Sequence, residues 1–219
     1  MLPSKRWKKR RKRPTLNWNP EGSPVSKTLS VATAPVAAAP VWLRTAGIAL
    51  AGSALVAVCA HLALPLFFTP VPLSLAPFAV LLLGLVLSPR LAASTLAAYL
   101  AEGAMGLPVF TPSALAPGGL AHLLGPTGGY LMAYPLAAGL IALLWRRSGR
   151  GFSAALASAA AGSLAILAGG ALWLAFLTHI SAQAALALAV VPFLPGDALK
   201  VAAAAALAVS LQRMRRHTV

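Results

Sequence analysis

The chain has 219 residues, 59 % of them apolar and only 10 % charged, with a mean hydropathy of +0.81. A soluble domain carries charge on about a quarter of its residues, so composition excludes one and points to a membrane protein. The net charge of +15 would suit nucleic acid, but eight of the eighteen Lys and Arg lie in SKRWKKRRKR, residues 4–13, ahead of any apolar segment. A basic run beside a membrane marks a cytoplasmic tail facing anionic lipid, and no nucleic-acid partner is expected.

Residues 1–41 read as a basic, Pro/Ala/Ser-rich disordered tail, its later part a flexible linker without helical periodicity. A basic stretch before an apolar one also resembles a signal peptide. Here the apolar stretch starts about thirty residues later and is too long for a signal core, so no cleavage is expected.

Six apolar segments follow, at 42–64, 74–88, 91–106, 128–145, 152–177 and 196–212. A spanning helix needs about 20 residues, and the second and third are short. They are separated only by SPR, residues 88–90, so they should form a tight helical hairpin shielded by neighbours. The single cysteine, Cys59, lies in the first segment and leaves no internal disulfide or cysteine metal cluster to expect.

Basic residues set the topology. Arg90 follows the second segment, Arg146, Arg147 and Arg150 the fourth, and Arg213, Arg215 and Arg216 the sixth, while connections 65–73, 107–127 and 178–195 contain no Lys or Arg. That asymmetry is what the positive-inside rule requires. The expected fold is an all-α integral membrane protein with a six-helix membrane domain over 42–213, both termini cytoplasmic, and a short basic cytoplasmic tail over 214–219.

The charge-free connections are rich in Pro and Gly: PLFFTPVPLSLAPF, GLPVFTPSALAPGGLAHLLGPTGGY and VVPFLPGD. Irregular backbone at membrane depth survives only where protein or a water-filled cavity satisfies its polar groups. Their convergence on one face fits either an outward-facing ligand pocket or a set of surface turns.

Of the three acids, Glu21 lies in the tail, leaving Glu102 and Asp197 in the body, with Lys200 as its intramembrane lysine. A charged group at a helix centre costs about 2.5–3.5 kcal/mol on insertion scales and is a functional candidate by default. At i and i+3, Asp197 and Lys200 share a helix face and can pair with each other. They can equally serve a small molecule that has N–H groups and a carboxylate.

The stretches TPVPLSLAPFAVLLLGLVLSPRLA, AYLAEGAMGLPVF, LLGPTGGYLMAYPLAAGLIALL and PFLPGDALKVAAAAALA resemble the BioY family, biotin-specific substrate-binding (S) components of energy-coupling factor (ECF) transporters. The resemblance covers about residues 45–212 and rests on GLPVF, GPTGGY and PGDxxK in this order. It implies six helices around an outward-facing biotin pocket in the bacterial cytoplasmic (inner) membrane. It further implies biotin uptake energised by partners: a transmembrane coupling protein and two ATPase subunits, with the S component toppling in the membrane to release its cargo. By position, Asp197 and Lys200 look like the pair that binds biotin's polar groups. Asp197 would take the ureido N–H groups, and Lys200 either the valerate carboxylate or the orienting of Asp197. Tyr130 would pack its ring on the ligand unless it is an interface-belt tyrosine, Gly128 and Gly129 would allow close backbone approach, and Gly106, Leu107, Pro108 and Phe110 would shape the covering loop.

The chain departs from the family in reading VPLSLAP where many members read VPITLQT, so Ala76 stands for a frequent Gln and Pro77 for a Thr. One ligand contact is then lost or replaced, with Ser74 or His122 as substitutes. His61 and His122 otherwise read as helix-end or packing residues.

No G-x-x-x-x-G-K-[ST] occurs, so the chain lacks a P-loop and is expected to be no enzyme and to hold no cofactor, its ATP being used by partner subunits. Small residues at four-residue spacing in the first segment, Gly47, Ala49, Ala51, Ser53 and Ala57, offer a surface on which a partner helix could dock. Two alternatives stand beside this reading: an S component for thiamine or riboflavin, and an intramembrane enzyme using Glu102 and Asp197.

Overall fold

The computed structural model describes residues 40–112 and 118–217; the expected tail, apart from Pro40 and Val41, lies outside them. The order is α1 (Val41–His61), β1 (Ala63–Leu64), β2 (Leu73–Ser74), α2 (Ala76–Val86), α3 (Pro89–Ala104), α4 (Leu120–Leu123), α5 (Gly128–Arg147), α6 (Phe152–Thr178), α7 (Ala182–Ala189), a 3-10 turn (Val191–Phe193) and α8 (Leu194–His217).

Each of the six expected segments contains a helix, although 63–64 at the end of the first and 74 at the start of the second belong to β1 and β2. Four stretches among the described residues are long and apolar enough to cross a membrane: α1, α5, α6 and the run Ala182–Arg215. The 21 residues of α1 rise about 31 Å at 1.5 Å each, close to the roughly 30 Å of a bilayer core. Its inward stripe is Gly52, Ser53, Val56, Cys59 and Ala60, the i, i+3/i+4, i+7 face of a helix packed on one side. Leu50 and Val58 remain exposed, as lipid-facing residues of such a helix do.

The 11-residue α2 and 16-residue α3 form the expected tight hairpin, and both fall short of a full span. Their join follows from local chemistry: Ser88 caps α3 by accepting from the Leu91 N–H at 3.4 Å, and Pro89 occupies the first turn, where no N–H is needed. Nearly every residue of α2 from Ala76 to Leu85 is buried or half-buried, because this short helix packs against α1, α5, α6 and α8.

Two connections are more ordered than their proline content suggests. The 65–72 loop is closed by an antiparallel pair, Ala63 opposite Ser74 and Leu64 opposite Leu73. The 178–195 connection contains α7, started by Ser181 accepting from the Ala184 N–H at 3.2 Å. Thr69 Oγ1 ties the two together by donating to the Leu188 carbonyl at 3.0 Å.

At the centre, Ile141 of α5 is wedged between two glycines. A Cβ on Gly84 of α2 would stand 2.9 Å from Ile141 Cβ, and one on Gly162 of α6 would stand 2.2 Å from its Cδ1. Small residues bring these helices close, which is how helices associate where no hydrophobic driving force separates them from lipid.

Candidate functional site

α8 begins at Leu194, so Pro195 and Gly196 lie in its first turn, as does Asp197. Pro is tolerated there because the first N–H groups have no intrahelical partner, and a carboxylate there is favoured by the positive end of the helix. Asp197 is 6 % exposed and Lys200 8 %. Lys200 Nζ donates to Asp197 Oδ1 at 3.0 Å, and Ser163 Oγ of α6 donates to Oδ2 at 2.9 Å.

Asp197 and Lys200 line a cavity with about 520 Å³ of empty space, mouth included, and Ser163 supports the carboxylate from behind that wall. Its other walls include Ser74 of β2, Pro77 in the first turn of α2, Thr111 after α3, His122 of α4, Tyr130 and Tyr134 one turn apart on α5, and Ile166 and Leu167 of α6. Phe193 closes it beside α8. The cavity is therefore mostly apolar, with a few convergent polar groups, the form of a small-molecule site.

The tyrosines are held firmly. Tyr130 donates its hydroxyl to the Ala189 carbonyl at 2.6 Å, which fastens the end of α7 above the site. Its ring lies over Gly170, where a Cβ would stand 2.2 Å from Tyr130 Cζ. Tyr134 stacks on Tyr99 with ring centroids 6.5 Å apart, and Tyr99 donates to the Val109 carbonyl at 3.0 Å.

Of the residues expected at a ligand site, Asp197, Lys200, Tyr130 and Ser74 meet in this cavity. Ser74 Oγ accepts from the Ala76 N–H at 3.3 Å, and Ala76 itself is buried. His122, weighed above as a packing residue, both packs and lines the cavity: its ring stacks on Phe110 at 5.2 Å, its Nε2 is 3.3 Å from Thr127 Oγ1, and it stands among the wall residues.

Three expected ligand residues stand behind the walls. A Cβ on Gly129 would fall 2.2 Å from Trp173 Cβ, and one on Gly128 would fall 1.8 Å from the Leu123 carbonyl oxygen. These glycines let α5 close on α6 and on α4. Phe110 covers Gly103, where a Cβ would stand 2.0 Å from its ring. Gly106 turns the chain out of α3 at φ 94°, a conformation suited to glycine, and Leu107 is exposed.

The small residues of α1 do not share one outer face. Gly47 and Ala51 are exposed and Ala49 and Ala57 half-buried, whereas Ser53 is buried and donates to the Glu102 carboxylate of α3. Ser53 is therefore removed from any docking surface, because its hydroxyl supplies the partner a carboxylate inside the bundle requires. The same bond separates the two acids: Glu102 is satisfied by α1 and lies outside the residues that line the cavity.

Ser163, Tyr134 and Phe193 were missed by sequence reasoning. Tyr134 was within reach, being four residues after Tyr130 and so on the same face. Ser163 carries no local signal, lying in a run of Ala, Gly and Leu 34 residues before its partner.

The sequence matches the model of the BioY family over residues 27–217. It is 42 % identical over 143 residues to a probable biotin transporter BioY of Pyrococcus horikoshii, covering 65 % of this chain and 82 % of that one. It is 39 % identical over 162 residues to the biotin transporter BioY of Thermotoga maritima, covering 74 % and 92 %. The fold matches the crystal structure of an S-component for biotin from an ECF-type ABC transporter with a TM-score of 0.71 at 27 % identity, over 78 % of this chain and 92 % of that one. With this match over most of its length, the chain belongs to the BioY family.

Proposed function

We propose that this chain is the biotin-binding S component of an ECF-type transporter and takes up biotin across a membrane. The observation that carries the reading is the buried Asp197 and Lys200 pair, 3.0 Å apart, facing a cavity walled by tyrosines and aliphatic side chains. Acceptor and donor stand side by side, which suits a cyclic urea, whose N–H groups flank its carbonyl. A carboxylate has about four acceptor sites and an ammonium three donors. Their bonds to each other and to Ser163 therefore leave capacity for a ligand. Asp197 receives a ureido N–H, and Lys200 orients Asp197 while offering its remaining donors to the ureido oxygen. Ser74 and His122 take the place of the glutamine that Ala76 lacks, and Tyr130 and Tyr134 pack against the bicyclic ring and its aliphatic chain.

In this reading the six helices lie in a bacterial cytoplasmic membrane, α2 and α3 reaching across it with the help of their flanking loops. Both termini are cytoplasmic, and the cavity opens outward. The chain is a transport subunit and no enzyme, uses no cofactor of its own, and draws on ATP hydrolysed by two partner subunits through a transmembrane coupling protein. Gly47 and Ala51, on the outer face of α1, remain the positions offered to that protein.

The test is equilibrium binding of labelled biotin to the purified, detergent-solubilised protein, with Asp197→Asn alongside and excess thiamine and riboflavin as competitors. Binding that resists both vitamins and weakens more than about tenfold in the variant, equivalent to about 1.4 kcal/mol, supports the reading. Displacement by either vitamin, or no binding by folded protein, overturns it.

A further inference from the structure

A second cavity lies at the other end of the bundle, where the C-terminal ends of α2, α5 and α8 meet, with about 950 Å³ of empty space, mouth included. On α8 the nearest lining residues of the two cavities, Lys200 and Ala208, are eight residues apart, about 12 Å along the helix, and Asp197 and Arg215 stand at their far ends. Its inner wall is apolar, with Leu85, Trp145 and Ala208 buried, and Arg146, Arg150 and Arg215 are exposed at its mouth beside Gln212.

Charge is the informative feature. The described residues contain two acids, and neither lines this cavity: Glu102 accepts from Ser53 and Asp197 from Lys200. Among the described residues, no carboxylate pairs with Arg146 or Arg150. Arg150 adopts φ 53° although Gly149 and Gly151 flank it, a conformation that only a few per cent of non-glycine residues take.

We propose that this cavity binds the phosphate headgroup of an anionic membrane lipid, with Arg146 and Arg150 as its principal ligands. A guanidinium matches phosphate with two parallel N–H donors and sheds its hydration more readily than an ammonium, and basic pockets between helices on the positively charged side of a membrane protein suit lipid headgroups. The apolar wall decides among anions. A free phosphate or an acidic protein segment would use the arginines and leave the half-buried Leu87 and Leu211 uncovered, whereas a lipid places its glycerol and first methylenes against them. The inference rests on the membrane placement of the chain and is independent of what the first cavity holds.

The test uses the full chain, delipidated in detergent, with bound lipids counted by native mass spectrometry after addition of phosphatidylglycerol or phosphatidylethanolamine. Phosphatidylglycerol should bind at least tenfold more tightly, and Arg146→Gln/Arg150→Gln should reduce that preference at least fivefold. Gln212→Glu, which puts a carboxylate in the cavity and removes no packing, should do the same, while Arg90→Gln, at the start of α3, should leave it unchanged. Equal binding of the two lipids, an unaltered preference in both cavity variants, or an equal loss in Arg90→Gln would overturn the site. So would displacement of the lipid by equimolar inorganic phosphate, which would identify a free-anion site, or by equimolar hexaglutamate, which would identify an acidic protein segment as the occupant.

Discussion

Ser163 Oγ, on α6, donates a hydrogen bond to Asp197 Oδ2, on α8, at 2.9 Å. The carboxylate is thus oriented from a neighbouring helix as well as by the lysine one turn away. A hydrogen bond to a charged group contributes about 1.5–3 kcal/mol. Ser163→Ala should therefore weaken biotin binding by about tenfold or more; equilibrium binding within twofold of wild type would show that the serine is a bystander.

Removing one member of a buried ion pair costs about 3–5 kcal/mol, because the other charge is left uncompensated. Lys200→Ala should lower thermal stability in detergent more than Asp197→Asn/Lys200→Met, in which both charges are gone. Neither should bind biotin within tenfold of wild type. Recovery of stability without recovery of binding separates the pair's place in the fold from its place at the ligand.

Gly170 leaves no room for a methyl group under Tyr130, whose Cζ would stand 2.2 Å from the new Cβ. Gly170→Ala should push the ring into the cavity and weaken binding more than tenfold. Tyr130→Phe keeps the ring and loses only the bond to Ala189, so it should cost less than tenfold in affinity and about 1 kcal/mol in stability. Binding isotherms and melting curves on the two variants check the ordering.

Gly129→Ala meets Trp173 Cβ at 2.2 Å and the Gly169 carbonyl oxygen at 2.4 Å. Overpacking of this kind costs about 1–3 kcal/mol, so the variant should melt earlier in detergent. Full stability with lost binding would instead return Gly129 to the ligand site.

Glu102 is held by Ser53 of α1 and does not line the cavity. Glu102→Gln should leave biotin affinity within about twofold. A tenfold loss would mean that the two carboxylates act together and would revive a chemistry based on paired acids.

The helices were legible because most ends of the apolar runs carry Pro, Gly or Arg, and the observed limits of α5 and α6, Gly128–Arg147 and Phe152–Thr178, fall within two residues of the runs. What escaped was order inside connections. α7 is eight residues long, and its place is fixed by Thr69 and Tyr130 reaching it from afar, information that no local pattern carries. At the site, Asp197 and Lys200 stood out because charge is costly in an apolar chain, and Tyr130 by its motif. Ser163 looks like any small residue of a packed helix, and Gly129 gives the same signal whether its neighbour is a ligand or, as here, Trp173. The inward turn of Ser53 was hidden because an alanine-rich helix has small residues on every side.

The wedge of Ile141 between Gly84 and Gly162 has a further consequence. Around it Leu81, Ala159, Ala204 and Ala205 are almost fully buried, so a dry plug separates the two cavities. A cup with such a floor is open at one end only. Nothing the size of a vitamin can fall through it. Passage to the far side would require these packed side chains to part or the whole body to turn.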